Sequence, residues 1–309
     1  MFEIFLKTLP FFALIALGSL ALHLRLLSDL AAAALTRFVF YFALSAMLFK
    51  LAVSLPLAQI FDPALISCYL VATGGLYGLQ FLLSRLRGAP LAEAAIEAQC
   101  ACIGNTGFLG VPMLAQLLGP ASGATVLTAL VIDMVVFSTL VTLLVSAAKG
   151  KGSGGGEIRA LGASLVKNPM IASMLAGFAF AALDLPLPQA LDQTLTLLGA
   201  AATPCALFAI GASLASRRPN RVAVAGWLAL AKMLLHPALM AICAFWLFDL
   251  PQQVAGLLIA VAALPVAGNI YILAEHFGVA PQRVSTAILF STAASVLTIP
   301  LVIGWIGPL

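Results

Sequence analysis

Apolar residues run in long, almost unbroken stretches along this chain, separated by short turns with charges, prolines and glycines. A helix needs about 20 consecutive apolar residues to cross a bilayer. The pattern therefore predicts ten membrane-spanning helices, at 4–24, 36–58, 63–84, 95–118, 122–147, 165–183, 188–215, 222–248, 252–276 and 282–306. We expect an all-α integral membrane protein with a single transmembrane domain over residues 1–309.

The composition excludes a water-solvated surface. Of 309 residues, 63% are hydrophobic and 8% are charged, whereas about a quarter of an ordinary soluble domain is charged. The expected surroundings are a lipid bilayer, and the net charge of +4 predicts no nucleic-acid partner, because in membrane proteins the placement of Lys and Arg is more informative than their sum. The five cysteines lie in apolar stretches without disulfide or zinc spacing, so neither a metal site nor a cofactor is predicted.

Basic residues are confined to alternate connections between the predicted spans. The connections after odd-numbered spans hold 12 of the 15 Lys and Arg residues, and the opposite connections hold none. Lys and Arg concentrate on the cytoplasmic side of membrane proteins. The distribution therefore predicts that both termini lie on the external side.

A Gly-rich connection at 148–164 divides the chain into halves 1–147 and 165–309, with five predicted spans each. Because five is odd, the two halves have opposite orientations in the membrane. This is the inverted repeat found in many secondary transporters. A chance division of an unrepeated chain is the alternative at this point.

Helix-breaking residues gather in the middle of the fourth span of each half. The first group extends from Gly104 to Pro112 and the second from Leu264 to Asn269. Proline removes a backbone donor, and glycine and asparagine tolerate non-helical dihedrals, so both spans should be interrupted near mid-depth. A proline kink or a glycine packing face is the alternative interpretation.

An interrupted span is a candidate binding site, because unpaired backbone groups persist in a bilayer only where protein, water or a ligand satisfies them. Half-helix N-termini favour an anion, and freed carbonyls with Asn amides could hold a cation. The predicted substrate-binding residues are Asn105, Thr106, Gly107, Gly110, Pro112, Pro265, Gly268 and Asn269.

Ionisable residues at membrane depth form a second group of candidates. Asp133 and Lys232 both fall near the midplane, and a direct ion pair between them is the hypothesis; with His236 they are the predicted coupling or ion-binding residues. His236 is expected to donate to a carbonyl freed by Pro237. Lys50 is expected to extend to the outer interface. Lys50 and Lys232 against Asp133 leave one net positive charge, which suits an anionic substrate.

The chain resembles the auxin efflux carrier family, which includes bacterial organic-acid carriers. The resemblance is carried by Gly104 to Pro112, by Lys167-Asn168-Pro169, by Pro204 with Gly211, and by Pro265 to Tyr271. It implies a fold like that of sodium/proton antiporters and bile-acid symporters, with broken spans 4 and 9 crossing. It also implies a homodimer in which a core of spans 3–5 and 8–10 moves against a scaffold of spans 1, 2, 6 and 7. The expected location is the bacterial inner membrane, where external termini are periplasmic. The third span lacks the carboxylate that auxin exporters use in proton-dependent transport.

The expected function is secondary active transport of a small organic anion, a mono- or dicarboxylate such as malonate or an auxin-like carboxylate. Alternating access by an elevator motion would be driven by the substrate gradient or by coupled H⁺ or Na⁺. A cation/proton antiporter that uses Asp133 is the alternative, and a receptor that binds without transport stays open. An enzyme is not expected, because the chain has no HExxH or GxSxG motif.

Overall fold

A computed structural model of the chain describes residues 2–119, 122–149, 168–215 and 221–306. These ranges are almost entirely helical. The Gly-rich connection lies outside the described residues from position 150 onward, as does Lys167. The helices are α1 (Phe2–His23), α2 (Asp29–Ser54), α3 (Pro63–Leu86), α4 (Leu91–Cys102), α5 (Thr106–Leu118), α6 (Ser122–Ala148), α7 (Pro169–Ala182), α8 (Gln189–Ala215), α9 (Val222–Leu247), α10 (Gln252–Ala262), α11 (Asn269–Phe277) and α12 (Pro281–Ile306).

Seven stretches within the described ranges are long and apolar enough to cross a membrane. They lie in α1, α2, α6, α8, α9 and α12, and in α3 together with the helical turn Leu57–Ile60 that precedes it. Three shorter apolar helices are α5, α7 and α10. The predicted fourth and ninth spans are each divided between two short helices, α4 with α5 and α10 with α11. Length and composition thus indicate a multi-pass membrane protein.

Side-chain caps set several helix starts. Ser28 accepts a hydrogen bond from the Ala31 N–H, so α2 begins at Asp29, earlier than the predicted position 36. Asp62 accepts from the Ala64 N–H at 2.8 Å and begins α3. Asn168 caps α7 in the same way. Each cap satisfies backbone donors that the first turn leaves without an intrahelical partner.

The helices pack in two groups. In the first group, α1 packs along α8, and α2 packs against both α7 and α8. The first of these contacts is unusually close: a Cβ added to Gly211 would lie 1.8 Å from the Ile15 carbonyl oxygen, and one added to Gly18 would lie 2.0 Å from that of Phe208. In the second group, α3 packs on α4 and α9, and α9 packs on α10 and α12.

Candidate substrate site at two interrupted helices

The two helix interruptions lie against each other. Between α4 and α5 the chain is extended around Gly104, and between α10 and α11 it is extended around Val266. The Asn105 N–H donates to the Pro265 carbonyl at 2.7 Å, and the Ala267 N–H donates to the Ile103 carbonyl at 3.1 Å. This short antiparallel pairing satisfies backbone groups that would otherwise be unpaired at membrane depth.

Hydrogen bonds on either side of the pairing complete the backbone. The Val266 N–H donates to Ser291 Oγ on α12 at 3.0 Å. The Asn105 carbonyl accepts from the N–H groups of Leu109 and Gly110, at 3.1 and 2.9 Å. Both interruptions therefore have defined backbone geometry, as a binding site requires.

Four helix ends meet at this point, and two of them carry a complementary charged side chain. The N-terminus of α5 faces Asp133, whose Oδ2 accepts from Thr106 Oγ1 at 3.4 Å and whose Oδ1 accepts from the Tyr69 hydroxyl at 2.9 Å. The C-terminus of α10 faces Lys232, whose Nζ donates to the Ala262 carbonyl. A carboxylate at the positive end of a helix and an ammonium at the negative end are both stabilising.

Lys232 is completely buried and contacts His236 as well as Ala262. Its Nζ lies 3.0 Å from His236 Nδ1, and His236 Nε2 lies 3.1 Å from Thr73 Oγ1. An ammonium group can only donate, so a charged Lys232 requires that Nδ1 accepts and that Nε2 carries the ring proton toward Thr73. The sequence predicted that His236 donates to a carbonyl freed by Pro237. Its ring nitrogens instead contact the side chains of Lys232 and Thr73.

The expected direct ion pair between Asp133 and Lys232 is absent: no salt bridge joins these two described residues. Each is instead held by its own polar partners, at a different helix end. Their arrangement fits compensation of two separate helix dipoles.

Lys50 has polar partners that the sequence did not indicate. Its Nζ forms a salt bridge of 2.8 Å with Asp192 on α8 and donates to Thr196 Oγ1 at 2.5 Å. Because Asp192 neutralises Lys50, the predicted sum of Lys50 and Lys232 against Asp133 no longer leaves one net positive charge. The argument from net charge for an anionic substrate is therefore wrong, and the helix ends carry that argument alone.

Three cavities surround the paired segments, with volumes of about 120, 200 and 30 Å³. Asn269 lines all three, and Asn105 and Gly268 line the first and the third. Thr106, Gly107 and Asp133 line the smallest cavity. Five of the eight predicted substrate-binding residues are thus brought together around shared space.

The remaining predicted residues do not line these cavities. Pro265 contributes its backbone carbonyl to the pairing. Gly110 packs against Leu264, where an added Cβ would lie 2.6 Å from the Leu264 Cδ1 atom. Pro112 is buried within α5. The structure places these three residues in the backbone and packing of the interruptions and not on the cavity walls.

Some features of the site are not apparent from the sequence. Tyr69 and Thr73, the partners of Asp133 and His236, have no distinguishing pattern within an apolar span. Asn105 lines two cavities, and the larger of them, of about 120 Å³, is also lined by Ala206, Ala209 and Ser213 of α8. Thr106, Asp133 and Lys232 all lie on single π-helical turns, at 106–110, 133–137 and 231–235. Such turns occur often at functional sites.

The Asn269 side chain has one buried oxygen without a hydrogen-bond partner. Asn269 is the first residue of α11. The N-terminus of α5 faces the carboxylate of Asp133. At the N-terminus of α11, no carboxylate among the described residues is hydrogen-bonded to Asn269. Among the described residues, no group of three or more His, Cys, Asp or Glu side chains is arranged to hold a metal ion.

Comparisons with known proteins match nearly the whole chain. A family model described as "Membrane transport protein" matches residues 3–159 and 157–303. The "Putative malonate transporter" of Rhizobium meliloti (strain 1021) is 33% identical over 306 residues, which cover 97% of this chain and 94% of the relative.

Proposed function

Because this chain belongs to the membrane transport protein family, it is a membrane transporter and not an enzyme, and we propose that it is a secondary active transporter of a small organic anion. The observation that carries the proposal is the pairing of Asn105 with Pro265 and of Ala267 with Ile103, next to cavities that Asn105 and Asn269 line. Paired interruptions of this kind are where secondary transporters bind substrates and coupling ions.

The proposed architecture has ten spans in two inverted five-helix repeats, 1–147 and 165–309, with spans 4 and 9 crossing at their interruptions. Its supports are the position of both interruptions in the fourth span of each half and the one-sided distribution of Lys and Arg. The proposed location is the bacterial inner membrane, with both termini periplasmic. The proposed assembly is a homodimer, an implication of the family resemblance.

The substrate proposal rests on the helix ends. The positive end of α5 already faces Asp133 through Thr106, so the N-terminus of α11, with Gly268 and Asn269, is the end available to a carboxylate. The name of the malonate transporter relative supports a small carboxylate. Malonate, other mono- or dicarboxylates and auxin-like carboxylates form the class to be tested.

The proposed mechanism is an elevator motion. A core group of α3–α6 and α9–α12 would move against a scaffold group of α1, α2, α7 and α8. The cavity of about 120 Å³ lies between these groups, since Asn269 and Tyr271 of α11 line one side and Ala206 and Ala209 of α8 line the other. A ligand held there would be carried with α11 past α8. Asp133, beside the crossing, is the proposed site of H⁺ or Na⁺ coupling.

Uptake into proteoliposomes tests the proposal. A thermal-shift screen of small carboxylates first identifies a stabilising acid, and the labelled form of that acid is then offered to vesicles with and without an internal pool of the same acid. Counterflow against the internal pool is expected. If no carboxylate that stabilises the protein enters the vesicles, organic-anion transport is contradicted.

A cation/proton antiporter is the second candidate, and the placement of Asp133 favours it: this carboxylate is buried beside the interruption and held by Tyr69 and Thr106. A pH-gradient dye in the same vesicles separates the two functions. Proton flux that depends on Na⁺ or Li⁺ and needs no organic acid would support the antiporter. Proton flux that needs the acid would support the carboxylate carrier.

A further inference from the structure

A cluster of charged side chains joins α4 to α3 and α12, outside the cavities at the crossing. Glu97 on α4 is 1% exposed and accepts from Arg87 Nη2 at 2.6 and 2.7 Å. It also pairs with Arg283 Nη1, and the same nitrogen lies 2.9 Å from Glu93 Oε2. Two carboxylates and two guanidinium groups balance each other. This balance of charge is what allows Glu97 to remain buried.

Neutral polar side chains extend the cluster to a fourth helix. Ser84 Oγ donates to Glu97 Oε2 at 2.5 Å, and Gln80 Nε2 donates to Ser84 Oγ at 2.9 Å. Trp227 Nε1 on α9 donates to Gln80 Oε1 at 2.8 Å. Gln80 and Ser84 are buried. One continuous hydrogen-bonded chain therefore connects α9, α3, α4 and α12.

Glu97 lies on the same helix, α4, that leads into the first interruption. α4 ends at Cys102, and Gly104 follows in the extended segment. At about 1.5 Å per residue, Glu97 lies about 9 Å along the helix from Ile103, whose carbonyl accepts from Ala267. Because the hydrogen bonds of a helix resist axial stretching, a displacement of Glu97 along the axis of α4 would move Ile103 and the residues after it relative to the second interruption.

The corresponding helix of the other interruption is anchored differently. α10 has no charged residue, and its last carbonyl, that of Ala262, accepts from Lys232. Both helices that lead into the crossing are thus held by charged side chains. α10 is held at its end, and α4 is held more than one turn earlier.

We propose that Glu97 and Arg283 are positioning residues for the substrate site: their buried ion pair sets the axial position of α4 and, through Gly104, the position of Asn105. Neither residue touches the cavities that Asn105 lines. The effect of the pair on transport rests on the proposed function, whereas its effect on the geometry of the crossing does not.

The test compares three variants in purified protein. Arg283→Met alone would leave Glu97 buried with one cation fewer, which is strongly destabilising, so the main variant is the neutral double replacement Glu97→Gln/Arg283→Met. Arg283→Lys retains the charge but loses the planar fork. Glu93→Gln is the matched control, because Glu93 binds the same guanidinium nitrogen but its side chain is 34% exposed.

Hydrogen–deuterium exchange measures the local stability of the paired interruptions without any substrate. In the double variant, peptides covering residues 103–108 are expected to exchange at least about tenfold faster than in the wild type, which corresponds to a loss of about 1.4 kcal/mol of local stability. Arg283→Lys is expected to show a smaller increase, and Glu93→Gln none. Arg283→Lys retains the positive charge and is expected to fold. Its exchange rate over residues 103–108 therefore still tests the proposal if the double variant does not fold. Unchanged exchange over 103–108 in every variant that folds would overturn the proposal.

Transport kinetics give the second readout. The double variant is expected to raise KM for the transported acid about tenfold while kcat per folded protein stays within about twofold, since substrate contacts are displaced but not removed. A folded double variant with lower thermal stability but wild-type KM and exchange would show that the pair is merely structural and would overturn the proposal. Absence of carboxylate transport in the wild type would contradict the proposed function instead, and the exchange result would still decide the role of the pair.

Discussion

Asn105 and Pro265 lie in opposite halves of the chain, yet the Asn105 N–H donates to the Pro265 carbonyl at 2.7 Å. Pro265 lies between the end of α10 and the start of α11, so no helix of its own supplies its carbonyl with a donor. Asn105 supplies the missing donor. Two segments that would each be costly in a bilayer therefore satisfy one another, and the side chains of Asn105 and Asn269 are left beside the cavities.

The contact between α1 and α8 predicts a strong packing effect. Gly211→Ala would place a Cβ 1.8 Å from the Ile15 carbonyl oxygen, so the helices must separate. We expect a loss of about 1–3 kcal/mol in stability, measured as a lower melting temperature in detergent. Gly226→Ala is the control, because an added Cβ there has nothing within 4 Å and alanine favours the helix. Equal melting temperatures for the two variants would contradict the close contact.

The two lysines at membrane depth should respond differently to the same substitution. Lys232→Met leaves the buried Ala262 carbonyl and His236 Nδ1 without a donor, and we expect a cost of about 3 kcal/mol. Lys50→Met removes a half-exposed pair with Asp192, and we expect about 1 kcal/mol or less. Chemical or thermal unfolding in matched detergent measures both. A larger effect at Lys50 than at Lys232 would contradict the arrangement.

Asp133→Asn tests the coupling role. Asparagine can still accept from the Tyr69 hydroxyl but carries no charge, so the local fold should persist while H⁺- or Na⁺-driven accumulation is lost. Exchange of labelled for unlabelled substrate should continue, since it needs no net ion movement. Asp29→Asn, at an exposed site on α2, should behave as the wild type. Full gradient-driven accumulation in Asp133→Asn would exclude Asp133 as the coupling site.

The sequence predicts the interruptions well but the side-chain partners poorly. Gly104, Asn105 and Pro265 are recognisable because several helix-breaking residues stand together in the middle of each apolar span, and their effect is local. The bond from Lys50 to Asp192 joins helices far apart in sequence, and nothing local in the sequence indicates that choice of partner. Long-range pairing depends on packing that a single sequence does not reveal.

The side of the helix on which a residue lies is a second feature that the sequence does not predict. A midplane depth for Asp133 and Lys232 follows from counting residues, but the side of the helix that each faces does not. Both lie on π-helical turns, which add a residue to the turn and rotate the helix that follows. The regular 3.6-residue pattern gives no sign of these turns. The partners Tyr69 and His236, and the absence of a direct bond between the two charges, therefore required the structure.

The most direct test of the central claim is substrate uptake by Asn105→Ala and Asn269→Ala in proteoliposomes, with Gln193→Ala, an exposed amide on α8, as the control. Loss of an amide that bonds a charged substrate costs about 1.5–3 kcal/mol, so each variant should lose at least about tenfold in kcat/KM while keeping its melting temperature without substrate. Gln193→Ala should transport normally. Wild-type uptake in both asparagine variants would contradict a substrate site at the paired interruptions.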